Sequence, residues 1–358
     1  MADDLRWMQR ALALAEHGIG RVHPNPLVGA VVVRDGQVVG EGFHAAWGDE
    51  HAEAVALRLA GEQARGATLY VTLEPCAHHG KQPPCVDAVI ASGVARVVVA
   101  LRDPNPVANG GLERLAEAGV AVSDGVAAAE AARQNFRFLH AFGDRPRPWV
   151  GVKLAVSIDG MIADAAGHSR WISGPPAREA VQRLRAGVAA VGVGGATAAA
   201  DDPLLTVRRE PQPAPPPTRV VFDRSARMPA TAAMLHDESR APVCVLLSPS
   251  HDAAHRVALE TAGARVHVVT SLEGGLNALQ ADGIDSILVE GGGRLASALL
   301  DADLVDRVYL FQAPFWLGTG VPAWTRAITP DVNDAPRWRR SVTTFADPAD
   351  LLQILERP

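Results

Sequence analysis

The sequence predicts an α/β protein built as two domains, and three observations carry that reading. Strand-like runs rich in Val, Ala and Gly alternate with stretches whose apolar residues recur at helical spacing. A chain of 358 residues is long for one core, and an apolar content of 48% suffices for two. Arg145-Pro146-Arg147-Pro148 is a proline-punctuated break, after which a fresh strand begins. The boundary is therefore placed near residue 145, dividing the chain into 1–145 and 146–358.

In the front half, Leu5, Met8, Ala11, Leu12 and Ala15 predict an amphipathic helix closed by Gly18 and Gly20. The rigid turn His23-Pro24-Asn25-Pro26 precedes a strand over Val28–Val33, and Asp35-Gly36 signals a hairpin into Val38–Gly42. Asp49 and Glu50 stand before Ala52, Val55, Ala56 and Leu59, so His51 and Glu53 are expected in the first turn of a second helix. A strand over Ala67–Leu73 follows, and Pro84-Cys85 with Val86, Val89 and Ile90 marks a third helix. Ala95–Leu101 reads as strand and Asp103-Pro104-Asn105-Pro106 as a turn. Leu112–Ala118 then reads as helix, Val120–Val122 as strand, and Ala127–Leu139 as one helix ending at Gly143.

The chemistry concentrates between His51 and Cys85. One imidazole and the thiols of Cys76 and Cys85 make three protein ligands, which leaves a tetrahedral zinc ion one open place for water. Glu53, two residues past the histidine, is where a general acid/base for that water is wanted. His-x-Glu followed by Pro-Cys is the signature of zinc nucleobase deaminases, although the eight residues between the cysteines exceed their usual spacing. A lone His-x-Glu occurs by chance in many helices, and two cysteines nine positions apart are commonly core residues. The order helix, strand, Glu-Pro-Cys, Cys at a helix start favours the metal. A fourth protein ligand would close the site to water, so His78 and His79 are assigned to substrate contact or to the loop. Asn25 fits either turn chemistry or an amide that reads a pyrimidine edge, and His44 either a pocket or a loop.

In the rear half, Trp149–Val156 reads as a strand. Ala189–Val193 enters Gly194-Gly195, and Ser286–Glu290 enters Gly291-Gly292-Gly293. Glycine between strand and helix lets backbone N–H groups approach a phosphate, but neither turn carries the spaced dinucleotide fingerprint, so a plain tight turn fits as well. Pro211–Pro217 reads as an extended surface loop, and Cys244, within Val243–Leu247, as a buried thiol. With 34 basic and 40 acidic residues the chain carries net charge −6, and no basic run makes a nucleic-acid stripe. Three cysteines argue against a disulfide framework, and no signal peptide or membrane span is seen, so the cytoplasm is the expected compartment.

Pro24-Asn25-Pro26-x-Val28-Gly29, His51-Ala52-Glu53, Asp103-Pro104-Asn105-Pro106 and the run from Thr72 to Cys85 together resemble the bifunctional riboflavin-biosynthesis deaminase–reductase family. So do Lys153–Gly160, Ser169-x-Trp171-Ile172-Ser173 and Ala200-Asp201-Asp202-Pro203-x-Leu205-Thr206-Val207-Arg208, and the resemblance covers nearly the whole chain. It implies a cytidine-deaminase-like domain followed by a dihydrofolate-reductase-like one. The implied reactions are loss of an exocyclic amine from a diaminopyrimidinone ribosyl phosphate, then NADPH reduction of the opened ribose to a ribityl chain. By matching motif, His51, Cys76 and Cys85 are the zinc ligands and Glu53 the proton shuttle. Asn25, His78, Lys153, Ser169, Arg185, Leu205, Arg208 and Glu290 match substrate contacts. Ala155, Trp171, Thr197, Asp201, Gly292, Gly293, Arg294 and Leu295 match the cofactor side, although Trp171 fits a core aromatic equally. Gln82 stands where the family usually has threonine, the loop after Pro106 is short, and Arg224 replaces a common serine. A homo-oligomer, most simply a dimer, is expected, with no nucleic-acid or membrane partner. The alternative is a zinc deaminase of another base, of cytidine or guanine type, with a non-catalytic second domain.

Overall fold

The computed structural model describes residues 2–80, 82–143, 145–239, 241–325, 331, 333, 335, 337–345 and 350–357. The chain divides into two compact units, Met1–Asp144 and Arg145–Pro358. The first runs α1 (Ala2–Ala15), β1 (Gly29–Arg34), β2 (Gln37–Phe43), α2 (Ala52–Ala60), β3 (Thr68–Leu73) and α3 (Cys85–Ser92). It continues with β4 (Arg96–Leu101), α4 (Gly111–Glu117), β5 (Ala121–Asp124), α5 (Ala128–Gln134) and α6 (Phe136–Ala141). Its five strands stand in the order β2-β1-β3-β4-β5.

Residues two apart on a strand share a face, and here both faces are covered. Ala30 and Val32 of β1, Leu69 and Val71 of β3, and Val97 and Val99 of β4 pack against Ala56, Val86 and Leu112 of α2, α3 and α4. The alternate residues Val31, Val33, Tyr70, Val98 and Ala100 pack against Met8 and Ala11 of α1 and Ala131 of α5. A Cβ on Gly111 would lie 2.0 Å from the carbonyl oxygen of Pro75, so only glycine lets α4 start against the loop that follows β3.

One predicted helix is corrected. The stretch Ala127–Leu139 is two helices, α5 and α6, broken at Asn135. The buried Asn135 side chain accepts from the Leu27 N–H at 2.7 Å and donates to the Leu27 carbonyl at 2.9 Å. An asparagine that serves a distant backbone in this way competes with helix continuation.

The second unit begins with β6 (Trp149–Val156), β7 (Met161–Asp164), α7 (Pro175–Ala186), β8 (Ala190–Gly194) and α8 (Gly195–Asp201). Then come β9 (Thr218–Asp223), β10 (Val243–Leu247), α9 (Ala253–Thr261), β11 (Arg265–Val268) and α10 (Leu272–Ala281). The last elements are β12 (Ser286–Glu290), α11 (Gly293–Asp301), β13 (Arg307–Gln312), β14 (Gly320–Pro322), β15 (Arg339–Thr344) and β16 (Leu351–Glu356). Nine strands make one sheet, β11-β10-β9-β8-β12-β6-β13-β16-β15, and β14 pairs with β7 apart from it. The pairings from β11 to β13 are parallel, so these seven strands end along one edge. In such a sheet, ligands bind outside the carboxyl ends of the strands.

The proline-punctuated segment belongs firmly to this unit. Arg147 donates to both carboxylate oxygens of Asp306, at 2.7 and 2.9 Å, and Arg145 donates to Asp306 at 2.6 Å. The same carboxylate accepts the Val150 N–H at 2.8 Å, which fixes the start of β6. Cys244 is buried in β10, as read from sequence, and the segment around Pro211–Pro217 is an irregular connection from α8 to β9.

Candidate functional site

In the first unit, β3 delivers Cys76 just past its end, while the starts of α2 and α3 deliver His51 and Cys85. His51 is the N-cap of α2, with φ −72° and ψ 155°, rather than a member of its first turn as expected from the sequence. The extended backbone there turns its ring toward the cysteines while Glu53 enters the helix. His51 Nδ1 lies 3.1 Å from Cys85 Sγ and 3.7 Å from Cys76 Sγ, and the Cys85 N–H donates to Cys76 Sγ at 3.4 Å. All three donor atoms lie within 4.8 Å of one another. One imidazole nitrogen and two sulfurs at this separation are a donor set that fits zinc. The hydrogen bonds from Cys85 and His51 hold the Cys76 thiol well below its usual range, whereas Cys85, donating to that sulfur and buried, is held well above.

Glu53 is 4% exposed, and burial pushes its carboxyl up to about 7 despite the opposing influence of His51. The surrounding cavity, of about 250 Å³, is lined by Asn25, His44, Trp47, His51, Glu53, Cys76, His78, Gln82 and Asp103 among others. His44 is buried, which lowers its pKa and keeps the ring neutral. Its Nδ1 stands 3.1 Å from the Glu50 carbonyl and therefore carries the proton, so Nε2 accepts from the Asn25 amide nitrogen at 3.0 Å. Asn25 is thereby oriented with Oδ1 left for a donor. His78 Nδ1 is buried and has no hydrogen-bond partner among the described residues. Gln82, the departure from threonine, donates to the Gly48 carbonyl at 3.2 Å and ties the loop between the cysteines to the approach of α2.

One residue escaped the sequence reading, and one left open by it is placed. Glu74 is buried and accepts the Asp103 N–H and the Leu112 N–H, each at 3.1 Å, which holds the turn after β4 and the start of α4 to the end of β3. His44, left open between pocket and loop, lines the cavity and orients Asn25. The Glu-Pro-Cys motif displays Glu74, but nothing local tells a brace from a chemical group.

In the second unit a charged cluster forms where β6 and β12 run side by side, with Lys153 opposite Glu290. Arg185 of α7 grips the Glu290 carboxylate with Nε at 2.6 Å and Nη2 at 2.9 Å, and its Nη1 donates to the Thr206 carbonyl at 2.8 Å. Burial alone would raise the Glu290 carboxyl, but Arg185 and Lys153 outweigh it and hold it below its ordinary value. Burial lowers Lys153. Arg208 is exposed; its backbone N–H donates to the Gln182 side-chain oxygen at 2.7 Å, and no described ion pair engages its guanidinium.

Leu205 is buried at a positive φ of 54° in the segment that carries Thr206 and Arg208. On the putting-together of the glycine turn, Thr197 of α8 packs against Gly291 and Gly292, where a Cβ on Gly292 would lie 3.2 Å from Thr197 Oγ1. A Cβ on Gly293 would lie 2.6 Å from the Ala323 carbonyl oxygen. Arg294 is exposed and Leu295 half-buried in the first turn of α11. Trp171 is 70% exposed, which removes the core reading, and the Arg178 guanidinium sits 4.4 Å over its ring. Ala155 faces Phe311 across β6 and β13, while Ser169 and Asp201 are exposed. No described hydrogen bond or ion pair joins Ser169, Ala155 or Asp201 to the Lys153–Glu290–Arg185 cluster.

Comparison with known proteins sets these two sites in context. Residues 1–101 match the cytidine and deoxycytidylate deaminase zinc-binding region, and residues 148–339 match the RibD C-terminal domain. The riboflavin biosynthesis protein RibD of Escherichia coli K12 is 44% identical over 345 residues, spanning 88% of this chain and 89% of that protein. That of Aquifex aeolicus is 41% identical over 321 residues, 89% of each chain. Among solved structures, a diaminohydroxyphosphoribosylaminopyrimidine deaminase/5-amino-6-(5-phosphoribosylamino)uracil reductase of Thermotoga maritima aligns with a TM-score of 0.81 at 36% identity, covering 100% of this chain and 99% of that one. Acinetobacter baumannii RibD aligns with a TM-score of 0.78 at 39% identity, with the same coverage.

Proposed function

The chain belongs to the RibD family of riboflavin biosynthesis, and we propose how its own residues divide that family's two steps. It is a bifunctional deaminase and reductase. The substrate of the first step is the diaminopyrimidinone ribosyl phosphate, and the deaminated product is passed on for reduction of its ribosyl group. The observation that carries the reading is the convergence of His51, Cys76 and Cys85 beside the buried Glu53 in one cavity.

His51, Cys76 and Cys85 would hold the zinc ion, which when bound would supply Lewis acidity toward a water molecule near neutral pH. Glu53 would carry the first proton of the attacking water to the ring nitrogen, and then the proton of the hydroxyl left on the attacked carbon to the amine, which departs as ammonia. Asn25, its amide nitrogen committed to His44, accepts an N–H of the pyrimidine through Oδ1. His78 lines the same cavity and contacts the substrate there. Gln82, which lines the cavity, ties its loop to the Gly48 carbonyl beside the site.

For the second step NADPH is the hydride donor. The glycine turn at Gly291–Gly293, with Thr197 against it, would hold the diphosphate of that coenzyme through backbone N–H groups. Arg208 binds the substrate phosphate. Arg185, with three of its five N–H donors already used, positions Glu290 and lends the remaining two. Lys153 and Glu290 contact the ribose being reduced, with Ser169 and Leu205 shaping its entry.

The test supplies the diaminopyrimidinone ribosyl phosphate to the zinc-loaded protein and follows ammonia release together with NADPH absorbance. Ammonia is expected with or without NADPH, and NADPH loss only after ammonia has appeared. A chelator should stop ammonia release yet leave reduction of separately supplied deaminated substrate intact. NADPH consumption with no ammonia at all would refute the order of steps.

A further inference from the structure

Cys244, His267 and Asp282 bring three further metal-binding groups together in the second unit, with ligand atoms within 4.8 Å of one another. No step above uses them. We infer that these side chains form a second zinc site, which ties the outermost strand β11 to β10 and to the end of α10. The inference does not depend on the reaction assigned to either unit.

Two parallel strands and one helix build the cluster. Cys244 of β10 stands beside Arg265 of β11, and Leu246 beside His267. Residues two apart on a strand share a face, and partners in register share it too. Cys244 and Leu246 pack with Leu276 and Leu279 of α10, so this face lies under that helix. Asp282 is the residue that caps the end of α10. A helix that crosses back between parallel strands ends at their amino edge. The glycine turns follow β8 and β12 at the opposite edge, so the cluster is separate from the contacts assigned to coenzyme and substrate.

The donor set has the chemistry of a zinc site. Cys244 is 2% exposed, and no described hydrogen bond engages its sulfur, although an imidazole and a carboxylate stand within reach. Asp282 Oδ2 lies 2.8 Å from His267 Nε2 and 2.9 Å from Arg265 Nη1. Burial would raise the Asp282 carboxyl, but His267 and Arg265 outweigh it and hold it below its ordinary value. One thiolate and one carboxylate balance a divalent ion, the neutral imidazole adds no charge, and the fourth tetrahedral place is left to water. Burial pushes the Cys244 thiol up to about 12, so an ion must prefer sulfur strongly to take the place of its proton. That demand favours zinc over magnesium or calcium. Arg265 competes with the ion for the same carboxylate. The gain is one of position, because β11 has four residues and a neighbouring strand on one side only.

The experiment dialyses the full chain against zinc ion and measures bound zinc per chain by elemental analysis, for the unmutated protein, Cys244→Ala, His267→Gln and Arg265→Gln. Cys244→Ala and His267→Gln are each expected to hold one zinc ion fewer than the unmutated protein, with ammonia release from the pyrimidine substrate unchanged. His267 is only half-buried, so its variant reports on the site even where a change at the buried cysteine disturbs folding. Arg265→Gln should keep the full count and bind the weaker-held ion several-fold more tightly in competition with a chelator. With cobalt in place of zinc, part of the thiolate-to-metal absorbance should vanish in Cys244→Ala. Zinc bound equally by the unmutated protein, Cys244→Ala and His267→Gln overturns the site.

Discussion

The two sites are built on opposite plans. The candidate deaminase site gathers rare side chains from one stretch of chain, His51 to Cys85, with donor atoms within 4.8 Å of one another. The proposed reductase site draws on common side chains from Lys153 to Leu295, and its charges close on one another, Arg185 on Glu290 beside Lys153. A metal demands particular ligands at short range, whereas a hydride transfer demands that two ligands be held in register. The first plan is fragile to a single atom and the second to a loss of positioning.

Substituting Glu53 by Gln is expected to have the largest effect of any single change, because it removes the proton carrier without touching a ligand. Ammonia release should fall by about 10²–10⁴-fold, with zinc content by metal analysis and NADPH reduction of the deaminated substrate both retained. Full ammonia release by that variant would remove Glu53 from the reaction. In the other site, Arg208→Ala should raise KM for the phosphorylated substrate roughly ten- to a hundredfold, the deaminase step being untouched. An unchanged KM would give the phosphate to another cation.

Two smaller changes probe the scaffold of the first unit. Asn135→Ala leaves the Leu27 N–H and carbonyl without their partners and should cost about 1–3 kcal/mol in denaturant unfolding. Asp4→Asn removes the ion pair with Arg96, 2.8 Å away, and should cost no more than about 1 kcal/mol. The hydrogen bond from Arg96 outweighs partial burial and holds the Asp4 carboxyl below its ordinary value. Its contribution is therefore fully present above the ordinary carboxylate pKa and is lost as pH falls through the lowered folded value. The gap between parent and variant should be constant near neutrality and shrink only in acid; a gap that widened in acid would contradict the pairing.

Where period and composition agreed, the elements were legible. β6, β10 and β12 match their predicted spans, and the alternation along β1, β3 and β4 places the two cores of the first unit. Legibility failed where a side chain served a distant backbone. Asn135 looked like one helical residue among many because its partner, Leu27, lies 108 positions away. Arg145 and Arg147 looked like linker charges because Asp306 is far along the chain. The cluster of His51, Cys76 and Cys85 could be named because few residue types bind zinc, but the commitment of Arg185 to Glu290 had no local sign. Nor could spacing alone show that Trp171 would stand exposed.

The double grip of Glu74 on two loops has a consequence for how its motif is interpreted. Both of its oxygens face backbone N–H groups, so an isosteric glutamine would set its own amide hydrogens against one of them. Even the mildest replacement would thus pit donor against donor inside a sealed wall. The glutamate beside Cys76 is a keystone of that wall: its loss would silence the front enzyme by letting the architecture slip, with every reacting group still in the chain.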